Sequence, residues 1–188
     1  MKILVIDNNP LFLKELVEKL GKKDEIIVIT FEEVKFSDAK NVDAIILSGG
    51  QSQSIKNHPE IYQKESEIIK KSKVPVLGIC LGFELICQTF GEKIDRLKVR
   101  KKGVIEIQKV GEDDILKGVA GKINVYENHR WVVREIKKLK ILMKSECGIE
   151  MVKHPKKEIY GVQFHPESSK GKEGLRILMN FLKFAEGK

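Results

Sequence analysis

Apolar and polar positions follow two different periodicities along the first half of the chain. Short, nearly continuous apolar runs predict buried β-strands at 2–7, 25–30, 42–50 and 74–80. Apolar residues at helical spacing predict helices at 10–21, 59–72 and 81–91. Continuous apolar strands that alternate with helices are typical of a mainly parallel sheet with helices on both faces. The pattern therefore predicts an α/β fold.

The pattern changes between about residue 94 and residue 165. This region contains shorter strand-like runs, which predict antiparallel hairpins and a smaller antiparallel sheet region, at 103–110, 122–128 and 159–164. A last helix is predicted at 173–186. Because no internal repeat, low-complexity tract or linker interrupts the chain, we expect a single domain over residues 1–188.

The composition is that of an ordinary globular protein. The chain has 188 residues, of which 41% are hydrophobic, and this is enough to bury a core without disulfides or metals. We expect neither a signal peptide nor a membrane span, since the chain lacks an apolar run of suitable length. The three cysteines, Cys80, Cys87 and Cys147, are odd in number and lack metal-site spacing with the histidines. We therefore expect a cytoplasmic protein without disulfides and without a metal site.

The formal net charge of +8 changes this picture little. The lysines are spread over predicted helix faces and loops, and one local basic stretch stands out, at 96–102. Nucleic-acid binding is not expected, because it would require clustered basic and aromatic side chains or a known binding module. Two interpretations of residues 96–102 remain open, a solvated surface and a docking face for a partner protein.

Cys80 lies where the fourth predicted strand meets the helix that follows it. A free cysteine is often a small buried hydrophobe. However, Gly78-Ile79-Cys80-Leu81-Gly82 has the pattern of a nucleophile elbow with cysteine in place of serine. Such a turn is strained and needs small neighbours, and the helix N-terminus beside it favours the thiolate. The sequence therefore predicts that Cys80 is a nucleophile at the ligand-binding edge of the sheet.

A candidate base for this thiol lies near the end of the chain, in YGVQFHPES. His165 directly follows the strand-like run, and Glu167 is close enough in sequence to orient its imidazole ring. Cysteine catalysis needs both groups, a histidine to move the proton and a carboxylate to fix the tautomer of the histidine. A surface His-Pro turn is the alternative interpretation. Together with the elbow, the motif predicts a triad of Cys80, His165 and Glu167.

A third motif, LSGG, follows the third predicted strand. Its glycine pair, Gly49 and Gly50, would leave backbone N–H groups exposed at the same edge of the sheet. The amide of Gly50 and the amide of Leu81, which follows the nucleophile, would then form an oxyanion hole with two donors.

The three motifs together resemble the class I (triad) glutamine amidotransferases. LSGG, GICLG and YGVQFHPE stand in that family's order and at its spacing, and the resemblance extends over essentially the whole chain. It implies a flavodoxin-like sheet and the hydrolysis of L-glutamine through a γ-glutamyl thioester on Cys80. It also implies that the ammonia passes to a synthetase, which we expect to be a separate chain.

Two groups within this family share further features with the sequence. The stretches at 125–133 and 143–167 are similar to the glutaminase subunit of archaeal-type two-chain GMP synthase. This similarity implies that His129 and Arg130 bind substrate. It also implies that the partner is an ATP-pyrophosphatase subunit, which would hold ATP and magnesium, so that this chain needs no cofactor. HPESS and GLRILMNFL are equally similar to the small subunit of anthranilate or aminodeoxychorismate synthase.

One position in the elbow departs from the family. The elbow is usually followed by Gly-His-Gln or Gly-Met-Gln, whereas this chain has Gly82-Phe83-Glu84. Glutamate cannot donate from an amide, and its charge would attract an α-ammonium group, repel an α-carboxylate and raise the pKa of a nearby thiol. A second departure is Gln51, which stands where proline is common. Three functions therefore remain open: a glutaminase that serves a synthetase, a stand-alone hydrolase of another γ-glutamyl compound, and a weakly active regulatory relative.

Overall fold

The computed structural model describes residues 1–21, 23–50 and 54–187. Gln51 lies outside the described residues. Within them, nine β-strands form a single sheet, namely β1 Lys2–Asn8, β2 Glu25–Thr30, β3 Ala44–Gly50, β4 Val76–Ile79, β5 Asp95–Lys109, β6 Lys122–Val132, β7 Lys140–Lys144, β8 Ile149–Lys153 and β9 Ile159–Val162. The four α-helices of the described residues are α1 Leu13–Leu20, α2 Gln63–Lys71, α3 Leu81–Thr89 and α4 Leu175–Glu186.

The sheet is mixed, and the prediction of a mainly parallel sheet was wrong. The strand order is β2-β1-β3-β4-β9-β8-β7-β5-β6. Among the described strands, the four pairings from β2 to β9 are parallel, and the four from β9 to β6 are antiparallel. The parallel half has the order of a flavodoxin-like fold.

The strand β9 joins the two halves. It pairs in parallel with β4, where Val76 lies opposite Ile159, and antiparallel with β8, where Met151 lies opposite Val162. The sequence predicted this run as part of an antiparallel hairpin. Its four residues are buried on both faces and have no alternation that could reveal a parallel neighbour.

Helices cover both faces of the parallel half, as predicted. Successive residues of β1 point to opposite faces, so that Ile3 and Val5 share one core with α1 and α4. Leu4 and Ile6 belong to a second core, on the other face, with α2 and α3. Burial of each such side chain contributes about 1.5–3 kcal/mol, so these two apolar layers fix the register of the sheet.

The predicted helices are present but shorter than their patterns. The helix predicted at 59–72 begins as a 3-10 helix, Pro59–Tyr62, before α2, and the last predicted helix similarly follows a 3-10 turn, Lys172–Gly174. The strands β7 and β8 were not among the predicted runs. No helix within the described residues has the length and apolarity to cross a membrane. All three cysteines are free thiols.

Candidate active site

Cys80 occupies a sharp turn between β4 and α3. Its backbone has φ 52° and ψ −98°, a left-handed conformation that is strained for a residue with a side chain. The Cys80 N–H donates to the carbonyl of Val162 on β9 at 2.8 Å, and the N–H of Glu84 donates to the Cys80 carbonyl at 3.0 Å. Neighbours on both sides therefore hold the strained residue in place.

The two glycines of the elbow are required by close backbone contacts. A Cβ atom at Gly78 would lie 2.4 Å from the carbonyl oxygen of Gly82. A Cβ atom at Gly82 would lie 2.5 Å from the carbonyl oxygen of Leu47 on β3. Helix α3 can therefore start directly against the sheet only because both positions lack a side chain.

His165 and Glu167 form a buried pair just after β9. The Nδ1 atom of His165 lies 2.8 Å from Oε1 of Glu167, and the two residues are 5% and 2% exposed. A carboxylate only accepts hydrogen bonds, so Nδ1 carries the proton and Nε2 is left as the basic nitrogen of the neutral ring. The His165 N–H donates to the carbonyl of Tyr126 at 2.9 Å, and the ring of Phe12 packs edge-on against the imidazole at 5.2 Å.

Gly49 shows how close Cys80 and His165 are. A Cβ atom at Gly49 would lie 3.0 Å from Cε1 of His165 and 3.5 Å from Cβ of Cys80. The imidazole and the cysteine therefore flank the same backbone atom at the carboxyl end of β3. The structure thus brings together the three motifs that the sequence singled out.

A cavity of about 220 Å³ opens beside Cys80. Five predicted site residues line it together with Cys80, namely Gly50, Leu81, Glu84, His129 and Arg130. Sequence reasoning did not assign the remaining lining residues, Ser54, Ile55, Arg100, Asn128 and Trp131. Long-range pairing of β5 with β6 brings most of these to the cavity, and no local motif signals it. Only Arg100 had a signal, because it belongs to the basic stretch at 96–102.

The resting thiol of Cys80 is held in its neutral form. Burial, and after it the carboxylates of Glu84 and Glu167, raise the pKa of Cys80 well above its ordinary value. A hydrogen bond from the backbone amide of Leu81 lowers the pKa of the thiol, as expected at a helix N-terminus, but the effects of burial and of the two carboxylates are larger. A sulfur in this state would need a base to remove its proton before it attacks, and His165 lies across Gly49 from Cys80.

Glu84 is a carboxylic acid buried in the cavity wall. It is 5% exposed, and Nε2 of Gln163 donates to its Oε1 at 3.3 Å. Burial raises the pKa of Glu84 to about 7, although the charge of His129 and the hydrogen bond from Gln163 both act to lower it. The departure from the family's usual glutamine therefore places a group that titrates near neutral pH next to Cys80.

His129 is buried at the same cavity, with oxygen atoms near both ring nitrogens. Its Nδ1 lies 2.6 Å from the carbonyl oxygen of Trp131, so Nδ1 donates there. Its Nε2 lies 3.3 Å from Oε2 of Glu127. His129 and Glu84 line the same cavity, and the charge of His129 lowers the pKa of Glu84.

The described residues contain no group of three or more His, Cys, Asp or Glu side chains arranged to hold a metal ion. The chemistry that this arrangement can supply is nucleophilic. A cysteine on a strained turn lines a small cavity with Gly50 and Leu81, and a buried His–Glu pair lies next to this cysteine, across Gly49.

Comparison with known proteins agrees with this geometry. The model of the family "Glutamine amidotransferase class-I" matches residues 4–184. A relative from Pyrococcus abyssi, named as the glutamine-hydrolyzing subunit of GMP synthase, is 38% identical over 189 residues, which cover 96% of this chain and 97% of the relative.

Two solved structures share the fold. One, from Thermoplasma acidophilum and provisionally described as a GMP synthase subunit, has a TM-score of 0.90 and 24% identity, and the match covers 100% of this chain and 94% of that one. A glutamine amidotransferase from Thermotoga maritima has a TM-score of 0.73 and 17% identity, with coverage of 100% and 83%.

Proposed function

The chain belongs to the class-I glutamine amidotransferase family, and from this premise we propose that it is the glutamine-hydrolysing subunit of a two-chain GMP synthase. In this role it releases ammonia from L-glutamine and delivers it to a separate synthetase subunit. The observation that carries the proposal is that His165, paired with Glu167, and Cys80 flank Gly49, with Cys80 lining a small cavity beside it. The full-length similarity to relatives named for the glutamine-hydrolyzing subunit of GMP synthase supports the choice of pathway.

In the first half-reaction, the Cys80 sulfur attacks the side-chain amide carbon of glutamine. His165 takes the thiol proton at Nε2, and Glu167 stabilises the imidazolium through Nδ1. The amides of Gly50 and Leu81 donate to the oxyanion of the tetrahedral intermediate. His165 then gives its proton to the amide nitrogen, and the C–N bond breaks. Ammonia is released, and a γ-glutamyl thioester remains on Cys80.

In the second half-reaction, water replaces the sulfur. His165 removes a proton from the water as it attacks the thioester carbonyl, and the same two amides stabilise the second oxyanion. The C–S bond breaks, the sulfur recovers a proton from His165, and glutamate is released. One histidine thus moves the proton in both directions, which requires the fixed orientation that Glu167 provides.

The cavity carries charges of both signs that suit an α-amino acid. In this proposal, the Glu84 carboxylate accepts the α-ammonium group of glutamine. Arg100 and Arg130 line the same cavity and are suited to the α-carboxylate. The two arginines would thus compensate the repulsion between Glu84 and the α-carboxylate of the substrate.

The partner would dock on the basic segment at 96–102. The pairing of β5 with β6 shifts its register between Arg96 and Lys101, so the residues between them lie outside the regular ladder. At this point Val99 is 80% exposed among basic side chains, and Arg100 lines the cavity from which ammonia leaves. An acidic surface on the synthetase subunit fits this segment. ATP and magnesium would belong to that partner, and the complex would act in the cytoplasm.

The other functions left open by the sequence receive less support. Several relatives matched over nearly their full length, among them the one from Pyrococcus abyssi, are named for GMP synthase rather than for anthranilate or aminodeoxychorismate synthase. A purely regulatory role would not need the buried His165–Glu167 pair beside Cys80. A stand-alone γ-glutamyl hydrolase is the second candidate, because Glu84 departs from the family's glutamine.

The deciding experiment measures glutamate release from L-glutamine by the purified chain. It is run alone and with an ATP-pyrophosphatase subunit of GMP synthase, and Cys80→Ala serves as the control. We expect release that depends on Cys80 and rises when the partner and its substrates are present. Release that the partner leaves unchanged would favour a stand-alone hydrolase, and no release in either condition would overturn the glutaminase.

A further inference from the structure

The strand that supplies one amide of the proposed oxyanion hole leaves its regular pairing just before that amide. Ile6 of β1 lies opposite Leu47 of β3, and the next pair of the same two strands joins Asn8 to Gly50. Two steps along β1 therefore correspond to three steps along β3, so β3 carries a β-bulge. A bulge interrupts the hydrogen bonds of the ladder, and the backbone groups inside it need other partners.

Buried polar side chains supply these partners. Oγ of Ser48 accepts from the Asn8 N–H at 2.9 Å, so its own proton is left to donate to the carbonyl of Gly49, also at 2.9 Å. Nδ2 of Asn8 donates to the Ser48 carbonyl at 3.3 Å and to Oε1 of Glu65, on α2, at 3.0 Å. Asn8 and Ser48 are fully buried and Glu65 is 1% exposed, so bulk water does not compete for these groups.

The position of the Gly49 carbonyl determines where the Gly50 N–H points. Both groups belong to one peptide unit, and in a planar trans peptide the C=O and the N–H point in opposite directions. The Ser48 hydroxyl joins this carbonyl to the Asn8 N–H and so holds it toward β1. Because β3 lies between β1 and β4 in the sheet, the N–H is directed to the side of β4, the strand that Cys80 follows.

This peptide needs such a restraint from its neighbours. A glycine stands on each side of it, and glycine adopts positive and negative φ with similar ease. A stiffer residue has no room at either position. A Cβ atom at Gly49 would lie 3.0 Å from Cε1 of His165, and one at Gly50 would lie 2.7 Å from the carbonyl oxygen of Asn8. The orientation of the peptide therefore depends on the side chains that bind its carbonyl.

We propose that Ser48, Asn8 and Glu65 are positioning residues for the oxyanion hole. They hold the Gly49–Gly50 peptide with its N–H directed toward Cys80. Glu65 fixes the side-chain amide of Asn8, Asn8 fixes Ser48, and the Ser48 hydroxyl fixes the peptide. The use of this N–H for an oxyanion rests on the proposed function, whereas the orientation of the peptide does not.

The orientation is tested by the ¹⁵N–¹H residual dipolar coupling of Gly50, which measures the direction of its N–H bond. In the unmodified chain we expect the coupling that corresponds to the orientation described above. Ser48→Ala removes the hydroxyl and should shift the coupling away from this value, because the peptide then samples other orientations. Ser66→Ala is the matched control. It removes a hydroxyl that accepts from Thr89, one residue along α2 from Glu65, and should leave the coupling unchanged.

The consequence for catalysis is tested by the kinetics of glutamate release. Ser48→Ala should lower kcat about 10- to 100-fold while KM for glutamine stays within about twofold, because an oxyanion donor acts in the transition state. Glu65→Met should lower kcat about threefold to tenfold, since Asn8 loses one acceptor. Glu65→Gln should restore kcat, because its amide oxygen still accepts from Asn8. The two variants of Glu65 keep the test decisive if Ser48→Ala does not fold.

Two results would overturn the proposal. One is an unmoved Gly50 coupling in Ser48→Ala, and the other is a loss of activity that falls on KM alone. Equal losses in Glu65→Met and Glu65→Gln would overturn the part assigned to Glu65. If the unmodified chain releases no glutamate, the proposed function fails, and the dipolar coupling still decides whether these side chains orient the peptide.

Discussion

Replacement of Glu84 by glutamine should stabilise the protein in a pH-dependent manner. Glu84 is 5% exposed, and the folded state resists its ionisation because burial raises its pKa from the ordinary 4.5 to about 7. Below pH 4 the carboxyl is protonated in both the folded and the unfolded chain, so its contribution to the free energy of unfolding is constant. Between pH 4.5 and 7 the unfolded chain releases the proton more readily than the folded chain, so stability falls as the pH rises.

The size of the effect follows from the two pKa values. Each tenfold change in the protonation equilibrium is worth about 1.4 kcal/mol, so the full cost above pH 7 is about 3 kcal/mol. Glutamine removes this cost and keeps an oxygen that can accept from Gln163. For a chain of this length the gain corresponds to a rise in Tm of roughly 6–12 °C at pH 8, with little change at pH 4.

Thermal unfolding at a series of pH values, followed by circular dichroism or calorimetry, measures this difference. Glu135→Gln is a suitable control, because Glu135 is exposed. The substitution therefore removes one carboxylate charge without a change in buried surface. A gain in Tm that is equal at pH 4 and pH 8 would contradict the linkage argument. A loss of stability at pH 8 would show that the Glu84 carboxylate is better compensated by its surroundings than the structure indicates.

Three further predictions concern the elbow, the His–Glu pair and the basic segment. Gly82→Ala should destabilise the fold by about 1–3 kcal/mol and reduce glutamate release, because its methyl group would lie 2.5 Å from the Leu47 carbonyl oxygen. Denaturant unfolding measures the loss of stability, and the glutamate assay measures the loss of activity. Glu167→Gln should lower kcat by about 100-fold or more without a change of fold, since the amide can bind His165 but cannot stabilise the imidazolium. Steady-state kinetics measures kcat, and a change in KM alone would contradict the prediction. Lys98→Glu should weaken stimulation by the synthetase subunit while the rate of the isolated chain stays constant; binding that is insensitive to salt and to this charge reversal would contradict the docking surface.

The parallel half of the fold could be predicted because its signals are local. Each strand from β1 to β4 is a short apolar run, and each helix between them has its own periodicity. The antiparallel half could not be assembled in the same way. Only β5 of these strands has a clear alternation of exposed and half-buried residues, and β8 and β9 are short and buried. The pairing of β9 with β4 joins residues far apart in sequence, and no local pattern indicates it. Packing of the whole sheet decides which strands lie next to β9.

The same difference explains what could be predicted of the site. Cys80 and His165 each stand in a short motif whose chemistry can be interpreted without a structure. Arg100 and Asn128 reach the cavity only through the β5–β6 ladder. Glu127 carried no signal at all, because an acidic residue within a strand gives no indication that it is fully buried.

The position of β9 between the two halves of the sheet also governs when a chain becomes active during its synthesis. The elbow and its helix are complete early, but the backbone pairing that holds Cys80 from the other side begins at Ile159, 83 residues after Val76. Among the described strand pairings, β9 alone bridges the two halves. A nascent chain whose β9 is still inside the ribosome therefore has Cys80 but neither His165 nor a closed sheet. Contacts of such sequence separation are slow to form, so we expect Cys80 and His165 to come together late in folding.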